Sequence, residues 1–105
     1  MLHRLKFAWQ RVTRGFSDDE LWNLDVTTAK YLVPRLQRFK EIAIHGYPSA
    51  LTFEKWQSIL NEMIWTFNYI ARDISTYDVD TYKINQARAD KGLKLFAKHY
   101  LNLWD

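Results

Sequence analysis

Apolar residues recur at alternating three- and four-residue steps along four stretches of the chain, which is the spacing of one face of an α-helix. In the first stretch these positions are Leu2, Leu5, Trp9, Val12 and Phe16. Gly15 is placed to end this helix, because glycine adopts the left-handed conformation that follows many helices. The simplest prediction is a short helix whose apolar stripe packs on the rest of the protein.

A capping box marks the start of the second helix. Ser17 is followed three residues later by Glu20, and Phe16 and Leu21 occupy the positions of a hydrophobic staple. This is the strongest local start signal in the chain. It predicts a helix with Ser17 as its N-cap.

The second helix is predicted to run to His45 and to end at Gly46. Proline lacks an N–H donor and its ring crowds the preceding turn, so Pro34 predicts a kink or break near residues 30–33. Alternatively, Asp25 caps a fresh helix and residues 18–24 form a short separate turn.

The third stretch is the most regular one. Thr52 is the predicted cap. The apolar positions that follow are Phe53, Trp56, Leu60, Met63, Phe67, Ile70 and Ile74. About 22 residues at 1.5 Å each form a rod of roughly 33 Å, which we expect to be the central helix.

The fourth stretch follows a polar connection, and Asp80 or Thr81 is its predicted cap. Its stripe consists of Tyr82, Asn85, Ala89, Leu93, Phe96, Tyr100 and Leu103. Gly92 within this helix weakens it by about 1 kcal/mol relative to alanine, so we expect Gly92 to allow close packing of a neighbour.

These patterns predict an all-α fold. The expected architecture is an antiparallel helical bundle of three long helices plus a shorter basic N-terminal helix, in one domain that spans residues 1–105. The chain has no cysteine, which excludes disulfides and thiolate metal sites. No run approaches the ~20 apolar residues that a membrane span needs, and no signal peptide is expected.

The search for catalytic or metal-binding groups finds no constellation. His3, His45 and His99 are far apart, and no Glu-x-x-His pair is present. Glu41 and His45 lie four residues apart and are most simply a salt bridge at a helix end. No phosphate-binding glycine loop or nucleophile with a neighbouring base occurs. We therefore expect a protein that is not an enzyme and that needs no cofactor or metal.

Two aromatic and basic sets are candidate ligand-binding surfaces. The second helix carries Tyr31, Arg35, Arg38, Ile42 and His45 at helical spacing. Guanidinium groups suit phosphate and tyrosine can stack on a base, although a solvated helix face is the simpler interpretation.

The second set lies off the main stripe of the third helix and consists of Trp65, Tyr69 and Arg72. An additional aromatic stripe on an amphipathic helix must pack on something. Packing within the chain and an oligomer contact are equally good interpretations, and a planar ligand is a third.

The net charge of +3 is unevenly distributed. Residues 1–16 contain four basic side chains and no acid, namely Arg4, Lys6, Arg11 and Arg14. The acids Asp18, Asp19, Glu20 and Asp25 follow at once. The basic helix could contact nucleic-acid phosphates or an anionic membrane, but the adjacent acids lower the local potential. Lys91, Lys94 and Lys98 are most simply a solvated face.

Several segments together carry a resemblance to a known group of proteins. They are residues 14–25, 33–36, 45–48, 56–64 and 101–105, which include Ser-Asp-Asp-Glu-Leu-Trp, Val-Pro-Arg-Leu and His-Gly-Tyr-Pro. In these segments the chain resembles a family of small uncharacterised proteins encoded by tailed bacteriophages. The resemblance covers most of the chain and implies a phage accessory protein acting in a bacterial cytoplasm, with no catalytic or binding residue to transfer.

Within that context, the favoured function is sequestration of a nucleotide second messenger made by a host defence system, by a homo-oligomer. The first alternative is an inhibitor or adaptor that binds a host or phage protein through an exposed helix face. The second alternative is a small nucleic-acid-binding protein that uses the basic N-terminal helix.

Overall fold

The computed structural model describes residues 2–43, 46–72 and 78–104. All regular secondary structure in these ranges is helical, so the predicted all-α class is confirmed. Four α-helices are present in the described chain: α1 (Leu2–Arg14), α2 (Leu24–Ile42), α3 (Phe53–Ala71) and α4 (Val79–His99). Two short 3₁₀ helices accompany them, at Asp18–Leu21, here named the acidic turn, and at Tyr100–Asn102.

The local signals around Gly15 and Ser17 act as predicted. Gly15 has a φ of 84° directly after α1, the left-handed conformation that ends helices. The capping box is formed, and the Glu20 carboxylate accepts hydrogen bonds from the Ser17 backbone N–H and hydroxyl. However, this box starts the acidic turn and not a long helix.

The prediction of one helix from Ser17 onward is therefore wrong, and the alternative of a short separate turn is closer. The residue that precedes α2 is Asn23 rather than Asp25. The physical reason lies in the acidic turn, where the Asp18 and Asp19 side chains bind α1. These bonds hold the turn against α1.

Of the kink or break predicted near residues 30–33, the break does not occur, since α2 continues through Pro34. Proline removes one N–H donor, but Pro34 is exposed, so water can reach the carbonyl that loses its partner. Ala29 and Leu36 on either side are buried in the core. These contacts hold both halves of α2 on the same neighbour.

Helix α3 is the central helix, as its regular stripe predicted. It packs against α2 on one side and α4 on the other. Trp56, Leu60 and Met63 are fully buried. The Thr52 hydroxyl accepts a hydrogen bond of 3.2 Å from the Lys55 backbone N–H, which confirms the predicted cap. The last predicted stripe position, Ile74, lies outside the described residues.

Helix α4 begins two or three residues earlier than expected, because its cap is Asp78 and not Asp80 or Thr81. The Asp78 carboxylate accepts a 2.7 Å hydrogen bond from the Thr81 backbone N–H, and this bond lowers the pKa of Asp78. The prediction for Gly92 is confirmed. A Cβ atom at Gly92 would lie 1.7 Å from Thr66 Oγ1, so only glycine permits this approach of α4 to α3.

Helix α1 does not pack on the other helices. Among the described elements it contacts only the acidic turn. The prediction that its apolar stripe packs on the bundle is wrong, since Leu5, Trp9 and Val12 are 65%, 69% and 82% exposed. The radius of gyration is 16.7 Å, larger than the ~13 Å of a compact chain of this length.

None of the helices in the described part of the chain combines the length and apolar composition that crossing a bilayer requires.

Candidate binding surface

The polar side of α1 holds this helix to the protein. The Gln10 side-chain amide donates to the Asp18 carboxylate at 2.8 Å, and its oxygen accepts from the Asp18 backbone N–H at 2.7 Å. Arg14 forms an ion pair with the Asp18 carboxylate, and Arg11 lies 3.6 Å from that of Asp19. The hydrogen bonds from Gln10 and Arg14 lower the pKa of Asp18.

One aromatic contact strengthens this attachment. The Phe7 ring meets the Trp22 ring edge-on, with centroids 5.5 Å apart. Phe7, Gln10 and Arg14 follow one another at three- and four-residue steps, so they lie on one side of the helix. That side, not the apolar stripe, faces the protein.

The opposite side of α1 is apolar and is open to solvent. We call it the outward face and define it by Leu5, Trp9 and Val12, all exposed. Ala8 lies beside them in the helix and is also exposed. An amphipathic helix normally buries its apolar side. Here the arrangement is reversed, because the apolar side of α1 faces solvent.

Two basic residues border the outward face. Successive residues of an α-helix are about 100° apart around the helix axis. Measured around this axis, Lys6 lies about 60° from Trp9 at one border, and Arg4 lies about 80° from Val12 at the other. Within the described residues Arg4 and Lys6 form no ion pair, whereas Arg11 and Arg14 do. The outward face is thus an apolar stripe with a cation at each border, and the positive charge of Lys6 also contributes to the lowered pKa of Asp18.

The structure places the α2 candidates on an exposed helix surface. The Arg35 guanidinium lies 3.6 Å above the Tyr31 ring and donates to the Tyr31 carbonyl oxygen at 2.9 Å. Arg38 forms an exposed ion pair of 3.1 Å with Glu41. The last member of the set, His45, lies outside the described residues, and so does the expected Glu41–His45 pair. Tyr31, Arg35 and Arg38 lie on one exposed face, as predicted, and each has a partner on the same helix.

The three candidate residues of the α3 set differ in how deeply they are buried. The rings of Trp65 and Tyr69 are stacked, with centroids 5.3 Å apart and planes 5° apart. Tyr69 is only 5% exposed and belongs to the interior, while Trp65 is half-buried. Arg72 is exposed and follows the last residue of α3. The structure therefore brings Trp65 and Tyr69 together, and their stacking is packing within the chain.

Sequence reasoning missed a residue that completes this packing. The Arg88 guanidinium of α4 lies 3.9 Å from the Trp65 ring centroid and binds the Glu62 carboxylate through two hydrogen bonds of 3.0 and 2.9 Å. These hydrogen bonds raise the pKa of Arg88 and lower that of Glu62. Glu62 and Arg88 are 26 residues apart, so no local pattern relates them.

Another residue that the sequence did not single out is His99, which is buried near the end of α4. Its ring meets the buried Trp56 ring edge-on at 5.4 Å. Burial lowers the pKa of His99, and the positive charge of Lys98 lowers it further. The neutral imidazole therefore suits this position best.

The lysines of α4 form a solvated surface. Lys91, Lys94 and Lys98 are exposed and line a shallow groove with Leu95. Their stems cover apolar atoms while the ammonium groups reach water. This arrangement agrees with the simple interpretation of these residues.

Within the described ranges, no group of three His, Asp or Glu side chains is placed to hold a metal ion. Comparison of the chain with protein-family models, with curated proteins and with solved structures finds no match.

Proposed function

We propose that this protein is a binding protein that attaches to its partner through the outward face of α1. One observation carries the proposal: α1 is bonded to the acidic turn through its polar side and presents its apolar side to water. Exposed apolar stripes with polar borders are typical of interaction sites.

The energetics of the exposed side chains support this function. Full burial of one large apolar side chain contributes about 1.5–3 kcal/mol, and the outward face has several that are not buried. An isolated helix of 13 residues is also marginal in water, so α1 depends on its contacts with the rest of the chain or a partner. Covering the outward face would stabilise α1 and provide affinity for the partner in the same step.

The ion pairs of α1 favour this function over nucleic-acid binding. Phosphate recognition depends on the number of available cations, since each neutralised phosphate adds to affinity. Of the four basic side chains, Arg11 and Arg14 are already paired with the acids Asp19 and Asp18. Arg4 and Lys6 alone make a small site for a nucleic acid.

The test is the size of the protein in an extract of cells that contain it. We expect the wild-type chain to sediment faster than a free monomer, and Val12→Asp to shift it to the monomer position. His3→Asp is the matched control, because it makes the same charge change at an exposed position outside the outward face. A wild-type chain that sediments as a free monomer would contradict the proposal.

A second candidate function is sequestration of a nucleotide signal of host defence by a homo-oligomeric phage accessory protein in the bacterial cytoplasm. It is supported by the cation–aromatic pair of Arg35 and Tyr31, with Arg38 one turn further on the same exposed face. Guanidinium and aromatic groups together suit a phosphate and a base. The phage context depends on the sequence resemblance.

This second function predicts a ligand-dependent shift in melting temperature. A cyclic dinucleotide that binds the folded chain should raise the melting temperature, and Arg35→Ala should abolish the shift. Lys30→Ala changes an exposed cation of the same helix and serves as the control. If Arg35→Ala and Lys30→Ala respond like the wild type, Arg35 is not part of a nucleotide site.

A further inference from the structure

We propose that the partner of the outward face is an anionic lipid surface, on which α1 lies parallel to the membrane plane. This inference rests on the proposed function and names the occupant of the same face. It is argued from the distribution of charge around α1, from its side-chain types and from the size of the face.

The composition of α1 is typical of helices that lie in a membrane interface. Such helices combine leucine, phenylalanine and tryptophan on one side with lysine and arginine on the other, at low overall hydrophobicity. In α1 the apolar side carries Leu5, Trp9 and Val12, and every charged side chain of the helix is basic. Tryptophan is enriched at the boundary between lipid and water.

The position of the available cations fits a lipid headgroup layer. Arg4 and Lys6 border the outward face and form no ion pair within the described chain. When the apolar side enters the acyl boundary, long basic side chains at its borders extend to the headgroups. Arg14, on the far side of the helix, and Arg11, on the same side as Arg4, are instead paired with acids.

The attachment of α1 leaves this approach open. The contacts of α1 with the acidic turn use Gln10, Arg11 and Arg14 on the opposite side of the helix. Among the described elements, α1 contacts no other helix. A flat surface can therefore meet the outward face along its whole length without displacing any of these contacts.

The size of the face argues against a second copy or another protein. A helix of 13 residues is about 20 Å long, and an apolar stripe about 10 Å wide along it covers about 200 Å². A stable protein interface needs about 800 Å² on each partner. Two copies paired through α1 would also bring together two helices that carry only basic charges. A lipid surface needs no matched area and supplies the opposite charge.

The experiment is cosedimentation of the full chain with vesicles. One vesicle type is phosphatidylcholine alone, and in the other about a third of the lipid is phosphatidylglycerol, which supplies negative surface charge. We expect the wild type to bind the anionic vesicles at least about tenfold more strongly than the neutral ones, and added salt to weaken binding.

Variants of α1 identify the face that binds. Val12→Asp places an acid on the apolar side and should weaken binding to the anionic vesicles at least about tenfold, whereas His3→Asp should change it by less than about threefold. Both positions are exposed, so both variants are expected to fold. Equal binding by the two variants would overturn the proposal.

Fluorescence quenching reports on insertion rather than adsorption alone. Lipids with brominated acyl chains should quench part of the tryptophan emission of the bound wild type, and Trp9→Phe should lose most of that quenched part while it still binds. Unchanged quenching in Trp9→Phe would show that α1 does not enter the acyl boundary, which contradicts the inference.

The outcomes separate this inference from the proposed function. If the wild type does not bind anionic vesicles, the lipid surface is wrong. If Val12→Asp nevertheless releases the chain from a larger complex in cell extracts, the outward face binds a protein or a second copy, and the proposed function stands. If Lys91→Gln with Lys94→Gln abolishes vesicle binding and Val12→Asp does not, α4 is the lipid contact and the inference fails.

Discussion

Helices α1 and α3 have the same apolar spacing but opposite surroundings. Both carry apolar residues at alternating three- and four-residue steps. In α3 the stripe is the centre of the core, with Trp56, Leu60 and Met63 fully buried. In α1 it faces solvent, with Trp9 and Val12 mostly exposed. Periodicity therefore identifies which side of a helix is apolar, but it does not identify what covers that side.

The polar residues of the two helices explain the difference. The opposite side of α1 carries Gln10, Arg11 and Arg14, which match the carboxylates of the adjacent acidic turn. In α3 the buried arc is wider, because Thr66 and Tyr69 are buried beside the main stripe. A broad apolar arc requires neighbours on two sides, whereas a helix with one narrow stripe and matched polar partners can be attached by either side.

The sharpest test of this comparison truncates one leucine in each helix. Leu60→Ala in the core should lower the free energy of unfolding by about 2–5 kcal/mol, because it leaves a cavity. Leu5→Ala on the outward face should change it by less than about 0.5 kcal/mol. Urea denaturation of the two variants measures both values. Similar losses would show that α1 is packed on the core and that its face is not open.

A second test concerns the close approach of α4 to α3. Gly92→Ala should lower the free energy of unfolding by about 1–3 kcal/mol, because the new methyl group overlaps the Thr66 side chain. At an open helix position the same change would stabilise the protein by about 1 kcal/mol. Thr66→Ala combined with Gly92→Ala should recover part of the loss. A Gly92→Ala variant as stable as the wild type would mean that α3 has free space on this side.

The buried imidazole at the same helix pair predicts a pH dependence. Because the folded chain has the lower His99 pKa, the unfolded chain binds the proton more readily, and stability falls as the pH drops below the usual histidine value of 6.5. The slope for one proton is at most about 1.4 kcal/mol per pH unit. Urea denaturation at a series of pH values, above the range in which carboxylates titrate, measures this dependence. His99→Gln should make the free energy of unfolding less dependent on pH, and His3→Gln should not.

The parts of the fold that were predictable depend on neighbours in sequence. The Ser17 capping box, the Thr52 cap and the glycine end of α1 each involve residues within one turn, and all three form as predicted. The stripe of α3 needs only helical periodicity. Gly92 was predicted because a glycine that weakens a helix needs a packing reason.

The parts that were not predictable depend on distant partners. Arg88 meets Glu62 and Trp65 through the packing of α4 on α3, so Trp65 finds its cover inside the chain. The attachment of α1 depends on whether its polar side or its apolar side makes the more favourable contacts with the rest of the chain. The position of Asp18 in the acidic turn favours the polar side, and no periodic pattern in the sequence predicts this position.

The smallest expected effect concerns this attachment. Gln10→Ala removes both hydrogen bonds that the Gln10 side chain forms with Asp18, so α1 should open more often while the core is unchanged. We expect faster amide exchange within residues 2–14 and the same midpoint of urea denaturation. Thr13→Ala is the control, since within the described ranges the Thr13 hydroxyl donates to carbonyl groups of its own helix. Acid should weaken the attachment of α1 in the same way as Gln10→Ala. Because the Asp18 pKa is lower in the folded chain, the Asp18 carboxylate stabilises the attachment fully above the usual pKa of 3.8. This stabilisation is lost as the pH falls below that value. If Gln10→Ala shifts the denaturation midpoint as well, α1 belongs to the cooperative core, and the contrast between α1 and α3 does not hold.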